Sequence, residues 1–297
     1  MSDPLAEIVS LLKPAPSIAK LVTAGGTWLV ERRDLGSPFY CAIVEGHCLL
    51  TINDRVPIRL AAGDFVLVPQ IHTLTMSSLM PPPRGTLPQR LETSPGVFRL
   101  GNPEAAAEVT AMVGHCTFTG NDKQLLSSLL PGIVHVQDES SLTDLVRMIH
   151  AETVSMLAAR DMILTRLLEV LFIAALRSAG NTTTSPGLLR GLADSRLAPA
   201  LRRIHRDPAG EVSVEMLAEA TGMSRSAFFD RFRQQMGVRP MEYVTNWRMA
   251  LAKDMLRRRE APLVEIAARV GYASASAFNV AFARYVGMTP GAFARSC

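Results

Sequence analysis

Residues 214–240 and 264–290 repeat one another at a spacing of fifty, with ten of 27 positions identical. The matches are Val214/Val264, Glu215/Glu265, Ala218/Ala268, Ser224/Ser274, Ser226/Ser276, Ala227/Ala277, Phe228/Phe278, Phe232/Phe282, Gly237/Gly287 and Pro240/Pro290. A period of this size marks one supersecondary unit used twice. Each copy reads as a short helix, a tight turn and a second helix. In the first copy Ser213 and Ser224 are placed as N-caps, their hydroxyls accepting first-turn backbone N–H groups. Gly222 supplies the turn conformation that a β-carbon resists.

Helical periodicity then divides the second helix of that copy into two faces. Arg225, Ser226, Phe229, Asp230 and Arg233 share one arc, whereas Ala227, Phe228 and Phe232 lie opposite. One face is buried and the other is free to enter a major groove. Arg225 and Arg233 suit guanine or phosphate, Ser226 is adaptable, and Phe229 suits a thymine methyl. Asp230 either accepts from a cytosine amino group or pairs with a neighbouring arginine; the ion pair is favoured, because a carboxylate near phosphates costs affinity. The second copy keeps the buried face but presents Ala275, Ser276, Asn279, Val280 and Ala283 on the other. There Asn279 is the good bidentate reader, suited to adenine.

A helix of roughly 19 residues joins the copies and spans about 28 Å. That approaches one DNA turn of ~34 Å, so both second helices can reach successive grooves on one side of a duplex. Its basic end, Arg257 to Arg259, suits phosphates as well as the helix dipole. Charge follows the same division. Residues 196–297 carry 16 Lys+Arg against 9 Asp+Glu, a net +7, whereas residues 1–195 carry 15 against 18, a net −3. A basic module of this kind suits an anionic partner.

The rest of the chain changes period twice. From about Thr27 to Thr119 the pattern is short β runs with turn punctuation. FYCAIVEGHCLLTI reads as a hairpin about Glu45-Gly46, and RLAAGDFVLVP as a turn feeding a strand that stops at Pro69. Such spacing predicts a small sandwich or barrel. From about Lys123 to Ala179 the period is helical. One helix has Ser141 as N-cap and a stripe of Leu142, Leu145, Val146 and Ile149. The more apolar DMILTRLLEVLFIAALR follows, and the pair serves either core packing or dimerisation. NTTTSPG at Asn181–Gly187 reads as linker.

The stretches GMSRSAFFDRFRQQMGVRPMEYVTNWRMALAKDML and IAARVGYASASAFNVAFARYVGMTPGAF resemble the two helix-turn-helix units of the AraC/XylS family of bacterial transcription regulators. The resemblance covers about residues 193–295. It implies base-contacting positions at Arg225, Ser226, Phe229 and Asp230, then at Ala275, Ser276, Asn279 and Val280, on helices capped by Ser224 and Ser274. The sequence departs from the pattern in two places. Val280 stands where arginine is frequent, and Phe293-Ala294 replaces a Tyr-Arg ending. DPLAEIVSLL, LAAGDFVLVP, LLPGIVHV and RLLEVLFIAALR are similar to the cupin-type sensor domain of a subset of that family.

Together these resemblances imply an α+β protein. Residues 1–180 form a cupin-like β-barrel with a helical dimerisation segment, 181–192 a linker, and 193–297 an all-α domain of two helix-turn-helix units. The implied function is sequence-specific transcriptional regulation controlled by a small molecule or stress signal. The implied partners are double-stranded promoter or operator DNA, RNA polymerase, an effector and a second copy of the chain.

Two alternatives stand beside that reading. A metal-dependent cupin enzyme needs clustered histidines, yet no HxH occurs, and Tyr40 and Ala42 lie where such a pair would sit. The expectation is therefore no metal, no cofactor and no catalysis, with Tyr40 and His72 as candidate ligand contacts. A redox-responsive regulator would use Cys41, Cys48 and Cys116. Across the expected hairpin Cys48 pairs with Ile43, leaving Cys41 a diagonal neighbour of Cys48 at ~7 Å between β-carbons. Buried cysteines as inert apolar fillers are the plainer reading. No CxxC spacing, signal peptide or apolar run of ~18 residues is present, which predicts a cytoplasmic protein with reduced thiols and no membrane span.

Overall fold

The computed structural model describes residues 3–33, 37–83, 90–118, 130–155, 157–179 and 186–296. The chain separates into two compact units. Of the described residues, those between 13 and 118 and between 131 and 179 form one, and 3–12, 130 and 186–296 the other.

The first unit is built on eleven described strands: β1 (Pro14–Gly25), β2 (Leu29–Arg33), β3 (Phe39–Glu45), β4 (His47–Ile52), β5 (Ile58–Ala61), β6 (Phe65–Val68), β7 (Thr73–Ser77), β8 (Arg90–Ser94), β9 (Val97–Gly101), β10 (Val109–Phe118) and β11 (Val134–Val136). They form a seven-stranded sheet in the order β11-β6-β3-β10-β1-β9-β8 and a four-stranded sheet in the order β2-β7-β4-β5. The expected hairpin is therefore corrected. β3 pairs with β10 and β6, whereas β4 pairs with β5 and β7. Gly46, at φ +78, carries the chain from one sheet to the other, and a β-carbon there would lie 1.8 Å from the Glu108 carbonyl oxygen.

Inward side chains of both sheets, among them Phe39, Cys41, Cys48, Leu50, Leu60 and Val66, make the core. Helices α2 (Ser140–Val154) and α3 (Arg160–Ala179) pack on the outside of the larger sheet. That second cover explains why Phe39 to Ile43 are buried without alternation. The α2 stripe is buried at Leu142, Val146 and Ile149, but the N-cap is Glu139 rather than Ser141. The Ser141 hydroxyl donates instead to the Glu139 carboxylate at 2.6 Å.

The second unit is helical: α1 (Pro4–Leu12), α4 (Leu188–Ala193), α5 (Ala198–Arg206), α6 (Val214–Ala220), α7 (Arg225–Met236), α8 (Pro240–Arg258), α9 (Leu263–Arg269), α10 (Ala275–Val286) and α11 (Pro290–Ser296). The stretch read as linker is helical from Leu188, and 181–185 lie outside the described residues. α4 rests on α7 so closely that a β-carbon on Gly191 would come 2.2 Å from the Met236 sulfur. α1 packs with α5 and α8. Its Glu7 carboxylate lies 3.0 Å from His205 Nδ1, whose Nε2 is 2.8 Å from the Tyr243 hydroxyl. The His205 ring also stacks on Trp247 at 4.1 Å between centroids. Among the described residues no helix is long and apolar enough to cross a membrane.

Candidate nucleic-acid interface

Both copies of the repeat fold as helix, turn and helix. Ser213 Oγ accepts from Met216 N at 3.2 Å, Ser224 Oγ from Ala227 N at 3.3 Å and Ser274 Oγ from Ala277 N at 3.1 Å. α7 and α10 both end on a left-handed glycine, Gly237 at φ +77 and Gly287 at φ +85. α7 buries Phe228, Phe232 and Met236, and α10 buries Phe278 and Phe282.

In the leading helices the spacing of fifty does not hold. The buried pair Leu217 and Ala218 corresponds to Ile266 and Ala267, and the turn glycine Gly222 to Gly271, all forty-nine apart. The bonds agree: Met223 N donates to the Ala218 oxygen and Tyr272 N to the Ala267 oxygen. The second turn is one residue longer, so Ala268, matched to Ala218 by sequence, is exposed. From Ser224 onward the fifty-residue register is restored.

On the free face of α7, Arg225, Ser226, Asp230 and Arg233 are exposed and Phe229 is half-buried. Ala227, expected on the buried side, is exposed as well. Arg225 Nε lies 2.7 Å from Glu215 Oε1 on α6, an exposed ion pair across the turn. Among the described residues Asp230 makes no ion pair with an arginine, contrary to expectation, and its neighbour Arg231 lies 2.7 Å from Asp194. Burial pushes the Asp194 pKa up, yet hydrogen bonds from Arg231 and from the Arg196 and Leu197 backbones outweigh it and hold the carboxyl low. On α10 Ser276 is exposed, Ala275, Asn279 and Ala283 are half-buried, and Val280 is 68% exposed. An apolar side chain held in water on this face is a ready contact for a thymine methyl.

α8 has the 19 residues expected. Its basic end is partly engaged within the unit: Arg257 lies 5.2 Å over the Phe293 ring and Arg258 Nε 2.8 Å from Asp254. Two residues to which the sequence assigned no role at the candidate interface make contacts there, Glu215 and Arg248. Arg248 donates to the Pro208 and Gly210 carbonyls at 2.9 and 2.7 Å, directly beneath Gly271. Only spatial proximity reveals either role.

In the β unit, a cavity opens between the two sheets, lined by strands β1, β2, β7, β9 and β10 and by Arg90. Neither sequence candidate for ligand contact lines it. Tyr40 faces a different cavity toward α2 and α3, and His72 is an exposed loop residue. Cys41 and Cys48 sit fully buried in the core, and Cys116 is buried too. Burial, reinforced by Cys48, raises the Cys41 pKa; burial and then Asp64 push Cys48 up to about 12; burial alone raises Cys116. Thiols kept protonated and covered are poor nucleophiles, which weighs against the redox alternative. Among the described residues no three His, Cys, Asp or Glu side chains gather as a metal site.

Residues 3–179 match a family model described as Cupin, and residues 217–296 one described as Helix-turn-helix domain. An AraC-like transcription regulator of Streptomyces antibioticus is 34% identical over 302 residues, covering 97% of this chain and 97% of its own length. The chain belongs to the AraC-like transcription regulators. Within this family it is also similar to the RCS-specific transcriptional activator RclR of Escherichia coli K12, 26% identical over 298 residues, with 98% and 96% of the two chains covered. Among solved structures, the DNA-binding domain of the global transcriptional factor AdpA in complex with a target DNA is 27% identical, covers 35% of this chain and 92% of that one, and has a TM-score of 0.33. By its two family matches and its AraC-like relative, the regulator joins a sheet-rich cupin domain to a helical DNA-binding domain.

Proposed function

We propose that this regulator reads an operator with the exposed faces of α7 and α10, and that Arg225, Ser226, Phe229, Asp230 and Arg233 carry most of the recognition. Ala275, Ser276, Asn279 and Val280 form the second, weaker reader, and Ser224 and Ser274 hold the two helix starts in shape. The observation behind this is the repeated geometry itself: two serine-capped helices whose phenylalanines are buried and whose opposite faces are left to solvent. The cupin unit serves as a sensor for a small-molecule effector and carries out no catalysis. The protein works in the cytoplasm, and beside a promoter it meets RNA polymerase, activating or repressing according to where the operator lies.

The second copy of the chain docks on the α2–α3 pair. Met148, Met162, Ile163 and Val170 are large apolar side chains exposed there, a combination that marks an association surface. Capturing and sequencing the DNA bound in vivo tests the whole reading, since one operator with two half-sites per dimer is expected. Absence of salt-sensitive affinity for any duplex would overturn it. Sedimentation of Ile163→Asp/Val170→Asp tests the dimer: a monomer is expected, and an unchanged dimer places the interface elsewhere.

A further inference from the structure

The cavity between the sheets gathers cations at one end and apolar side chains at the other. Strand alternation sets this up. β1 turns Lys20, Val22 and Ala24 inward, and β10 turns Val109, Ala111, Val113 and His115 inward. Because Ala24 pairs with Val109 and Lys20 with Val113, the polar ends of the two antiparallel strands coincide. Arg32 at the end of β2 and Arg90 on β8 join the same lining. The Lys20 ammonium and the Arg90 guanidinium lie 5.0 and 4.1 Å from the centre of the Phe98 ring.

These like charges act on one another. Burial, then Arg90 and Arg32, lowers the Lys20 pKa, with the Glu92 carboxylate opposing. Burial, then Lys20 and Arg32, lowers that of His115. Two lining side chains also hold buried polar atoms without partners among the described residues, Trp28 Nε1 and His115 Nδ1. Trp28 is only 5% exposed. A buried donor without an acceptor is unfavourable, and so are crowded cations in a partly buried cavity; a carboxylate seated among the cations relieves the second of these. The unfilled space, counted out into the open solvent at its mouth, is about 780 Å³.

We propose that this cavity is the effector site and takes an organic monocarboxylate with an apolar body, the carboxylate among Lys20, Arg32 and Arg90 and the body against Phe98, Leu100 and Met76. The assignment rests on the reading of the cupin unit as the sensor. Titration calorimetry on the full-length protein tests it with octanoate as the probe and octanamide as its uncharged counterpart. Octanoate is expected to bind one per chain, with the amide at least tenfold weaker. Lys20→Met and the exposed Arg90→Gln should each weaken octanoate at least tenfold and leave the amide unchanged. Equal affinity for acid and amide, discrimination that survives both substitutions, or no heat with millimolar octanoate would overturn the assignment. Operator affinity of the unliganded protein is measured alongside: its presence without octanoate binding removes the ligand class alone, whereas its absence removes the regulator reading.

Discussion

Arg225 stands between two anions, the Glu215 carboxylate that holds it in the free protein and the nucleic acid that it is placed to read. An exposed pair of this kind is weak and screened by solvent, whereas a bidentate contact to guanine is worth ~1–3 kcal/mol, so DNA wins the arginine. Arg225→Ala is therefore expected to weaken operator binding by ~1–3 kcal/mol in a gel-shift titration. Glu215→Gln should tighten it modestly, since it frees the guanidinium and removes a negative charge facing the phosphates. Weaker binding by Glu215→Gln would mean that the pair presents Arg225 rather than detaining it. Asn279→Ala is expected to cost less than Arg225→Ala, and a larger loss would make α10 the dominant reader. At this scale the exposed face of α7 was legible from periodicity, apart from Ala227. The partner of Arg225 was not, because α6 and α7 meet only after the turn closes.

The two reading helices begin and end in the same way, so their caps offer a controlled comparison. Ser224→Ala and Ser274→Ala each remove a side-chain acceptor for a first-turn N–H, at a cost of about 1 kcal/mol. Gly287→Ala places a β-carbon in a left-handed conformation with nothing within 4 Å of it, so its cost is the backbone's alone, about 1–2 kcal/mol. Gly237→Ala adds a contact with Pro186 at 3.2 Å and should cost at least as much; urea unfolding of the four variants measures the order. The capping serines were readable because local chemistry dictates them. The forty-nine-residue register of α6 and α9 was hidden by chance identities such as Ala218/Ala268, which only burial separates. The corner at Gly46 was misread for a related reason: two alternating runs across a short turn look alike whether the strands pair or pass to facing sheets.

Across the whole molecule the sequence showed a β unit and a helical unit, but not that the first twelve residues belong with the last hundred. That grouping depends on contacts between α1, α5 and α8, which no local pattern encodes. It puts a buried histidine at the junction, and His205 is one of three whose pKa is lowered in the fold. Burial is the leading cause for each; Lys20 and Arg32 add to it at His115, Glu7 opposes it at His205, and His150 has burial alone. Unfolded, each takes up its proton around 6.5, the ordinary histidine value. Between that pH and the lower folded values the unfolded chain binds more protons, so acidification favours unfolding. Because His115 and His150 lie in one unit and His205 in the other, both units should lose stability together. Thermal midpoints of the full-length protein are expected to be lower at pH 5.5 than at pH 7.5. A midpoint that holds or rises on acidification would show that these imidazoles take up protons inside the fold as readily as in the unfolded chain.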